Sequence, residues 1–488
     1  MDESVTPLAA LRAAIPAGRT VLDDAELALL RELTGRLAAA RPEARQEFQR
    51  FQGIRDRCFE LPRDELSGWI GGARVLVTGG TGCIGSLLSE QLAGLGPARL
   101  VSLSRGKTPP ARVLPQVEYL TADVRDLNRL EEVFDQVKPQ IVFHVAAQRS
   151  PARAEVEVLR TVGTNIFGSR NVLRVATERG VPDVVCASTG KALRPYSPDV
   201  YAASKRAAEW LISRAAVDSP ARYTATRFTH VADNSIVVDR IRRWCKDGVI
   251  RLHSPDINFY VQSARESVQL LLSAGLNGRA GMLRIHALRD LGWPVNLLDL
   301  ALGMIAETES DAPIYLAGYE RGYEEIPFPG LYDPRTAGDV SPLINAFEAI
   351  GTLPGRCPEV DVFDAPAPSA DLAVLDRLGA LEEVCQQGGQ ARRGQARGGL
   401  TQGRRARDAA QPFDEGRVRA ALDALSWDLL DATLRDVPAQ QLGRSVRLVS
   451  ACGEQGLEPA HRRVLDALRR AADPPGRGAR RRETVGAP

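Results

Sequence analysis

The sequence predicts an α/β fold built on a doubly wound parallel sheet, and three observations carry that prediction. From Arg74 onward, apolar runs alternate with helical stretches, and VLVTGG, SLLSEQLAGLG, LVSLS, VEYLTAD, IVFHVAA and VVCAS follow one another. Strands alternating with helices imply a parallel sheet with helices on both faces. The first of these strands opens into a Gly-rich turn that leads straight into a helix. Finally, 488 residues, 44% of them hydrophobic, exceed one ordinary domain and can bury a large core.

Residues 1–70 read as a helical N-terminal extension. Asp23-Asp24 can cap a helix carrying Leu27, Leu29, Leu30 and Leu33, and a second helix falls in the forties and fifties. Gly71-Gly72 separates this extension from the α/β domain, residues 71–330. Within it, GMLRIHALRDLGWPVNLLDLALGMIAE reads as strand, turn and helix. Residues 331–385, richer in Pro and Gly, are expected to complete a small C-terminal lobe. The low-complexity, basic stretch 386–412 is expected to be a flexible linker. Residues 413–473 recover helical periodicity as a small module, and 474–488 read as a disordered basic tail.

Several function classes are excluded by composition. Net charge is +2 with 25% charged residues, which gives no nucleic-acid signature. Seven Cys without a Cys-x-x-Cys pattern argue for a reducing, cytoplasmic setting. The five His have no ligand-like spacing, so no metal site is expected. No apolar run approaches the length of a membrane span, and the N-terminus lacks a leader's apolar core.

The chemistry points to the segment from Ser188 to Lys205, STGKALRPYSPDVYAASK. It follows the strand VVCAS and ends in Tyr201-Ala202-Ala203-Ser204-Lys205. Positions four apart share a helix face, and an ammonium held near a phenol lowers the phenol's pKa. A Tyr so tuned can take a proton from an alcohol while a hydride leaves the same carbon. Only five of the 63 cationic Lys and Arg residues are Lys, and two of the five, Lys191 and Lys205, fall in this segment. Lys can lose its proton in tuned surroundings, whereas Arg effectively cannot.

Thr78, Gly79, Thr81, Gly82, Cys83, Ile84 and Gly85 form a Thr-Gly-x-x-Gly-x-x-Gly turn between strand and helix, the context a dinucleotide needs. The helix N-terminus offers free N–H groups to the phosphates. The second strand ends in Ser104-Arg105-Gly106-Lys107 without a carboxylate for a ribose 2′-hydroxyl. Arg105 and Lys107 suit a 2′-phosphate, which favours NADP over NAD. Asp123-Val124, after the third strand, is placed to touch the adenine.

Taken in order, TGGTGCIG, SRGK, TADVRDLNRL, IVFHVAA, TVGTNIFGSRNV, STGKALRP, YAASKRAAEW, ATRFTHV, GWPVNLLDLALGMI and GYERGYEE resemble the extended short-chain dehydrogenase/reductase superfamily. The likeness covers roughly residues 72–330 and is nearest to its CapD-like branch of nucleotide-sugar dehydratases and epimerases. It implies a Rossmann-type cofactor half, a substrate lobe, tightly held NADP with Ala146 and Ala147 among its contacts, and a homo-oligomer. It also implies that Ser188, Thr189 and Asn165 lie near the substrate. Tyr201 and Lys205 would oxidise a ring carbon, and Lys191 would remove the proton beside the new ketone.

Four departures from the family pattern bear on the reaction. Gly190 stands where the family has Asp before Lys191, leaving no side chain to protonate a leaving hydroxyl. Two extra residues precede Tyr201 and bring Tyr196 and Asp199 near, either a candidate donor. Arg227-Phe228-Thr229-His230 replaces Arg-Phe-Gly-Asn, which makes His230 a candidate substrate contact. The diphosphate arginines are displaced, with Arg321 a candidate substitute. Two readings stay open beside a sugar epimerase or dehydratase: a dehydrogenase or reductase acting on a non-nucleotide substrate, and an NADP-binding interaction protein without turnover.

Overall fold

The computed structural model describes residues 6–110, 112–217, 219–319, 340–345, 348–365, 371–401, 413–451 and 459–473. The chain divides into two units, one of Leu61–Arg227, Leu270–Arg289 and Glu325–Pro488, the other of Met1–Glu60, Phe228–Gln269 and Asp290–Glu324.

The first unit is built on a nine-stranded sheet. Its strands are β1 (Arg74–Thr78), β2 (Arg99–Ser104), β3 (Val117–Thr121), β4 (Ile141–His144), β5 (Asp183–Thr189), β6 (Arg222–Phe228), β7 (Leu283–Leu288), β8 (Thr352–Pro354) and β9 (Val360–Asp364). Their spatial order is β8-β9-β7-β6-β5-β4-β1-β2-β3. The pairs of β1 with β2 and β4, of β2 with β3, of β4 with β5 and of β6 with β7 are parallel. In β1, β4 and β5 nearly every residue is buried, because helices cover both faces of such a sheet. The helices are α1 (Arg63–Ile70), α2 (Cys83–Ala93), α3 (Leu127–Val137), α4 (Pro151–Val156), α5 (Val158–Val162), α6 (Ser169–Glu178), α7 (Val200–Val217), α8 (Leu372–Thr401), α9 (Glu415–Asp436), α10 (Ala439–Ala451) and α11 (Pro459–Ala472).

The C-terminal third departs from expectation in three ways. Residues 352–364, expected in the small lobe, instead extend the sheet, with β9 antiparallel to β7 and β8 antiparallel to β9. The reason is local: Val360, Val362 and Phe363 need burial, and Asp361 meets Arg289 at 2.7 Å. Residues 386–401 are helix rather than linker, since α8 runs to Thr401. Its first turns are anchored by buried Val374, Leu378 and Leu381, and Ala, Gln and Arg propagate a helix once it is nucleated. Residues 402–412 and 474–488 lie outside the described residues. Finally, α9 is not part of a separate module. Its Val418, Leu422, Leu425 and Leu429 pack with Val200, Ala203 and Ala207 of α7 and with Ala154, Val158 and Val162 of α4 and α5.

The second unit absorbs most of the N-terminal extension. Helices Pro7–Ala14, Asp24–Ala39 and Ala44–Gly53 share one core with helices Ile236–Asp247 and Leu297–Thr308. Asp23 and Glu26 form a reciprocal capping box. Leu30, Leu33 and Leu37 carry the buried stripe, whereas Leu29 is exposed. A Cβ on Gly303 would lie 2.4 Å from both the Ala44 carbonyl and Phe48, so glycine is what lets helices Ala44–Gly53 and Leu297–Thr308 approach so closely. No helix among the described residues is long and apolar enough to cross a membrane.

Two core histidines make stability pH-dependent. Burial pushes His144 and His286 down to about 3, from an ordinary 6.5. The unfolded chain takes up protons below about pH 6.5 that the folded chain refuses, so stability is lost as pH falls from there toward 3. The melting temperature is expected to drop steadily between about pH 7 and 4, and His286→Gln to flatten that slope. Calorimetry across this range checks it.

Candidate active site

The site is assembled where the C-terminal end of β5 meets the first turns of α7. The Ser188 hydroxyl donates to Glu209 Oε1 at 2.6 Å. Glu209 in turn holds fully buried Arg227, with Nη2 to Oε2 at 2.9 Å, and Arg227 also reaches Glu348 at 2.7 Å. Ser188 is therefore committed to a buried charge network.

Thr189 caps the short 3-10 turn Gly190–Leu193, accepting from Lys191 N at 3.3 Å. Its hydroxyl acts on the Tyr201 phenol and favours the phenolate, as does the charge of Arg149. Burial outweighs both and, with Asp199 adding to it, pushes Tyr201 up to about 12. Lys205 turns to the strand. Its Nζ donates to the Ala187 carbonyl at 2.7 Å, and burial lowers its pKa, opposed by the charge of Glu209. The shared helix face is real, but a long side chain whose ammonium is taken from water goes to the nearest acceptor, here the strand backbone.

Lys191 and Asp199 form the most polar contact of the site. Lys191 Nζ lies 2.7 Å from Asp199 Oδ2, with the Asp199 side chain only 3% exposed. Burial lowers the Lys191 pKa, while Asp199 opposes that shift. Asp199 Oδ1 also accepts from Ala202 N at 3.0 Å, at the start of α7. Tyr196, the other candidate donor, is spent elsewhere, since its hydroxyl donates to Asp423 Oδ1 at 2.7 Å.

Asn165 is fully buried within a π-helical turn, Gly163–Gly168, between α5 and α6. Its Oδ1 accepts from Gln148 N at 2.8 Å and its Nδ2 donates to Gln148 O and to Ser204 Oγ. It ties the loop after β4 to α7. Sequence reasoning missed this turn because one extra residue in a helix leaves no compositional mark. His230 belongs to the other unit, with Nε2 2.6 Å from Ser235 Oγ and its ring beside Phe259. Arg321 lies outside the described residues.

A second feature of this unit is the turn from Thr78 to Gly85, at the N-terminus of α2. Gly79 has φ +76°, and a Cβ there would lie 2.7 Å from Ala146 N. A Cβ on Gly85 would lie 2.3 Å from the Gly79 carbonyl. The turn thus closes tightly on the loop carrying Ala146 and Ala147. No side chain caps α2, and a helix N-terminus of this kind favours an anion. Thr78 Oγ1 meets His144 Nδ1 at 2.8 Å, and His144 Nε2 meets Ser169 Oγ at 2.9 Å, so His144 is a satisfied core residue. Beyond β2, the Arg105 pKa is lowered by burial and then by the nearby charges of Arg160 and Arg125. Ser104 accepts from Gly106 N at 3.3 Å. Burial disfavours the Asp123 carboxylate, yet Arg125, with Nη2 to Oδ2 at 2.7 Å, holds its pKa below the ordinary value. The glycine cradle, the open helix terminus and this cationic end suit a dinucleotide.

The fold and the ordered motifs define an extended short-chain dehydrogenase/reductase of the CapD-like branch. More particularly, residues 75–326 match the polysaccharide biosynthesis protein family, and the chain belongs to it. It is 28% identical over 284 residues to the probable polysaccharide biosynthesis protein EpsC of Bacillus subtilis, covering 54% of this chain and 47% of that protein. It is 29% identical over 271 residues to the capsular polysaccharide biosynthesis protein CapD of Staphylococcus aureus, covering 52% and 44%. It is also 29% identical over 212 residues to the inverting UDP-N-acetylglucosamine 4,6-dehydratase of Campylobacter jejuni, covering 41% and 62%. The chain spans about half the length of the first two relatives. In fold it is similar to Pen from Bacillus thuringiensis, with a TM-score of 0.53 at 23% identity over 62% of this chain and 90% of that one.

The buried network under β5 has a measurable consequence. Arg227→Met leaves Glu209 buried without its main counter-charge, and an expected loss of about 3–5 kcal/mol in unfolding free energy follows. Urea denaturation of the full chain measures it.

Proposed function

We propose that the protein oxidises a secondary alcohol on the ring of a nucleotide sugar or sugar-like substrate with NADP, leading to epimerisation or dehydration in polysaccharide or secondary-metabolite biosynthesis. The observation that carries this reading is the meeting of Thr189, Lys191, Asp199 and Tyr201 at the end of β5, in the same unit as the glycine turn.

Thr78, Gly79, Thr81, Gly82, Cys83, Ile84 and Gly85 would hold the pyrophosphate, Ala146 and Ala147 would flank it, and Asp123-Val124 would face the adenine. Ser104, Arg105 and Lys107 would take the 2′-phosphate, a reading supported by the clustering of Arg105, Arg125 and Arg160. When bound, the oxidised nicotinamide supplies a hydride acceptor and a positive charge. Tyr201 takes the proton of the substrate hydroxyl, which Thr189 orients. Lys205 stiffens the strand end through Ala187 and keeps a cation within the same buried region. Arg149, exposed and acting on the Tyr201 phenol, is available to the substrate's phosphate.

Oxidation acidifies the neighbouring C–H, and Lys191 is the base for that proton. Asp199 restores the carboxyl that Gly190 lacks. It reaches Lys191 from the start of α7 instead of from the preceding position, so a proton can be returned to carbon or given to a departing hydroxyl. The proximity of Asp199 to Lys191 keeps dehydration open beside epimerisation, and product mass separates them by the loss of water.

Three variants test the assignment. Tyr201→Phe is expected to lower the rate of NADP reduction by a candidate nucleotide sugar about 10²–10⁴-fold. The hydride returns to the sugar in epimerisation or dehydration, so reduction is read as the transient NADPH signal: an unchanged rate would sink the role given to Tyr201, and a wild-type chain that binds NADP yet shows neither transient reduction nor conversion of the sugar would favour the interaction-protein reading. Lys191→Met should retain reduction but lose exchange of the ring proton with deuterated water, read by mass spectrometry. Arg105→Glu should reverse the preference for NADP over NAD in a binding titration; a preference that stays put removes Arg105 from the 2′-phosphate site.

A further inference from the structure

The chemistry above assigns nothing to the C-terminal helices, yet they close on the segment between Thr189 and Tyr201. Tyr196 is 8% exposed and stacks on Trp427 of α9, with ring centroids 3.8 Å and planes 22° apart. Its hydroxyl donates to Asp423 at 2.7 Å. On Trp427 sits the guanidinium of Arg463 from α11, 4.0 Å from the ring centre. The apolar residues around Tyr196 come from all three helices: Leu430 and Leu434 of α9, Leu442 of α10, Leu465 and Leu468 of α11.

A second attachment holds the other end of the segment. Val200 N donates to Glu155 Oε1 at 2.8 Å. Glu155 is itself gripped by Arg419 of α9, through its carboxylate at 2.5 Å and its carbonyl at 2.9 Å. One turn into α7, Arg206 donates to Thr433 Oγ1 of α9 at 2.9 Å. Asp199 lies between Tyr196 and Val200, and Lys191, its ion-pair partner, stands five residues before Tyr196.

We propose that helices α9–α11 are an in-chain clamp that positions the Lys191–Asp199 pair, with Tyr196 and Trp427 as its positioning residues. The two residues inserted before Tyr201 supply the slack that lets Tyr196 reach α9. The insertion and the C-terminal helices, unexplained separately, then form one device. Its catalytic meaning rests on the function proposed above, but its structural content does not.

The groups facing Lys191 are Asp199, Arg194 and Glu155, and burial is what keeps its pKa below the ordinary 10.5. Release of the segment lets water reach the ammonium, so the pKa must rise toward that value. Labelling of Lys191 by trinitrobenzenesulfonate as a function of pH reads this directly in the full chain. Peptide mass spectrometry resolves each of the five Lys, with exposed Lys138 as reference. Trp427→Ala is expected to raise the Lys191 labelling midpoint and to increase its limiting rate about fivefold or more, with Lys138 unchanged. Tyr196→Phe should move both in the same direction by less, and Trp427→Phe should restore the wild-type profile.

A folded Trp427→Ala variant with an unaltered Lys191 profile overturns the clamp. Should that variant not fold, Tyr196→Phe decides by the same readout, since it removes one hydroxyl and keeps the ring. In a turnover assay, the clamp predicts that Trp427→Ala slows ring-proton exchange about tenfold while NADP reduction falls less than about threefold; equal loss of both overturns it. If wild-type protein turns over no sugar, the functional reading fails, and the labelling experiment still decides the clamp.

Discussion

Helix α7 is stitched to the end of strand β5 by three side chains spaced four apart, and the candidate site depends on that seam. Tyr201, Lys205 and Glu209 share one face because 3.6 residues make a turn. Thr189 acts on Tyr201, Ala187 accepts from Lys205, and Ser188 donates to Glu209. The deepest of the three is also the most demanding. Glu209 is 2% exposed, and a buried carboxylate is tolerable only when paired. Arg227 supplies the pair and in turn needs Glu348, so one buried charge under the active strand ties β6 and the residues preceding β8 into the same network.

The charge at the top of the seam follows the same logic at smaller scale. Lys191 has no acid beside it in sequence, and a half-buried ammonium without one would be unstable as a cation. Asp199 meets that need from the end of the inserted segment, while its other oxygen accepts from the first turn of α7, where a carboxylate is favoured by the helix dipole. A single residue thus caps the helix carrying Tyr201 and neutralises Lys191. The loop between them is long enough to stray, and its length is taken up by Tyr196 against Trp427.

Legibility differed from one element to the next. The parallel strands, the glycine turn and the helix bearing Tyr201 were readable because each depends on local pattern: apolar runs, a turn that only glycine fits, and helical periodicity. The capping box at Asp23 and Glu26 belongs to the same class. The aim of a side chain was not readable. Ser188 paired with Glu209, Lys205 went to the strand backbone, and Asn165 lies in a π-helical turn. Each outcome was decided by an acceptor or donor distant in sequence. The basic stretch of α8 misled for a related reason: low complexity argues against a core, but not against a helix propagated from a buried first half.

By itself, then, the sequence determined the class of fold, the place where a dinucleotide would lie, and the pool of groups from which a redox site could be drawn. Those follow from short-range rules of backbone geometry and hydrophobic period. Only the tertiary structure decided which members of that pool meet. It brought Asp199 to Lys191 in place of the acid missing at Gly190, withdrew Ser188 and Asn165 into the interior, and brought Trp427, Leu442 and Leu468 against Tyr196, more than two hundred positions earlier. Pairing of buried charges and closure of apolar clusters act through space, and a linear pattern does not record where those partners come from.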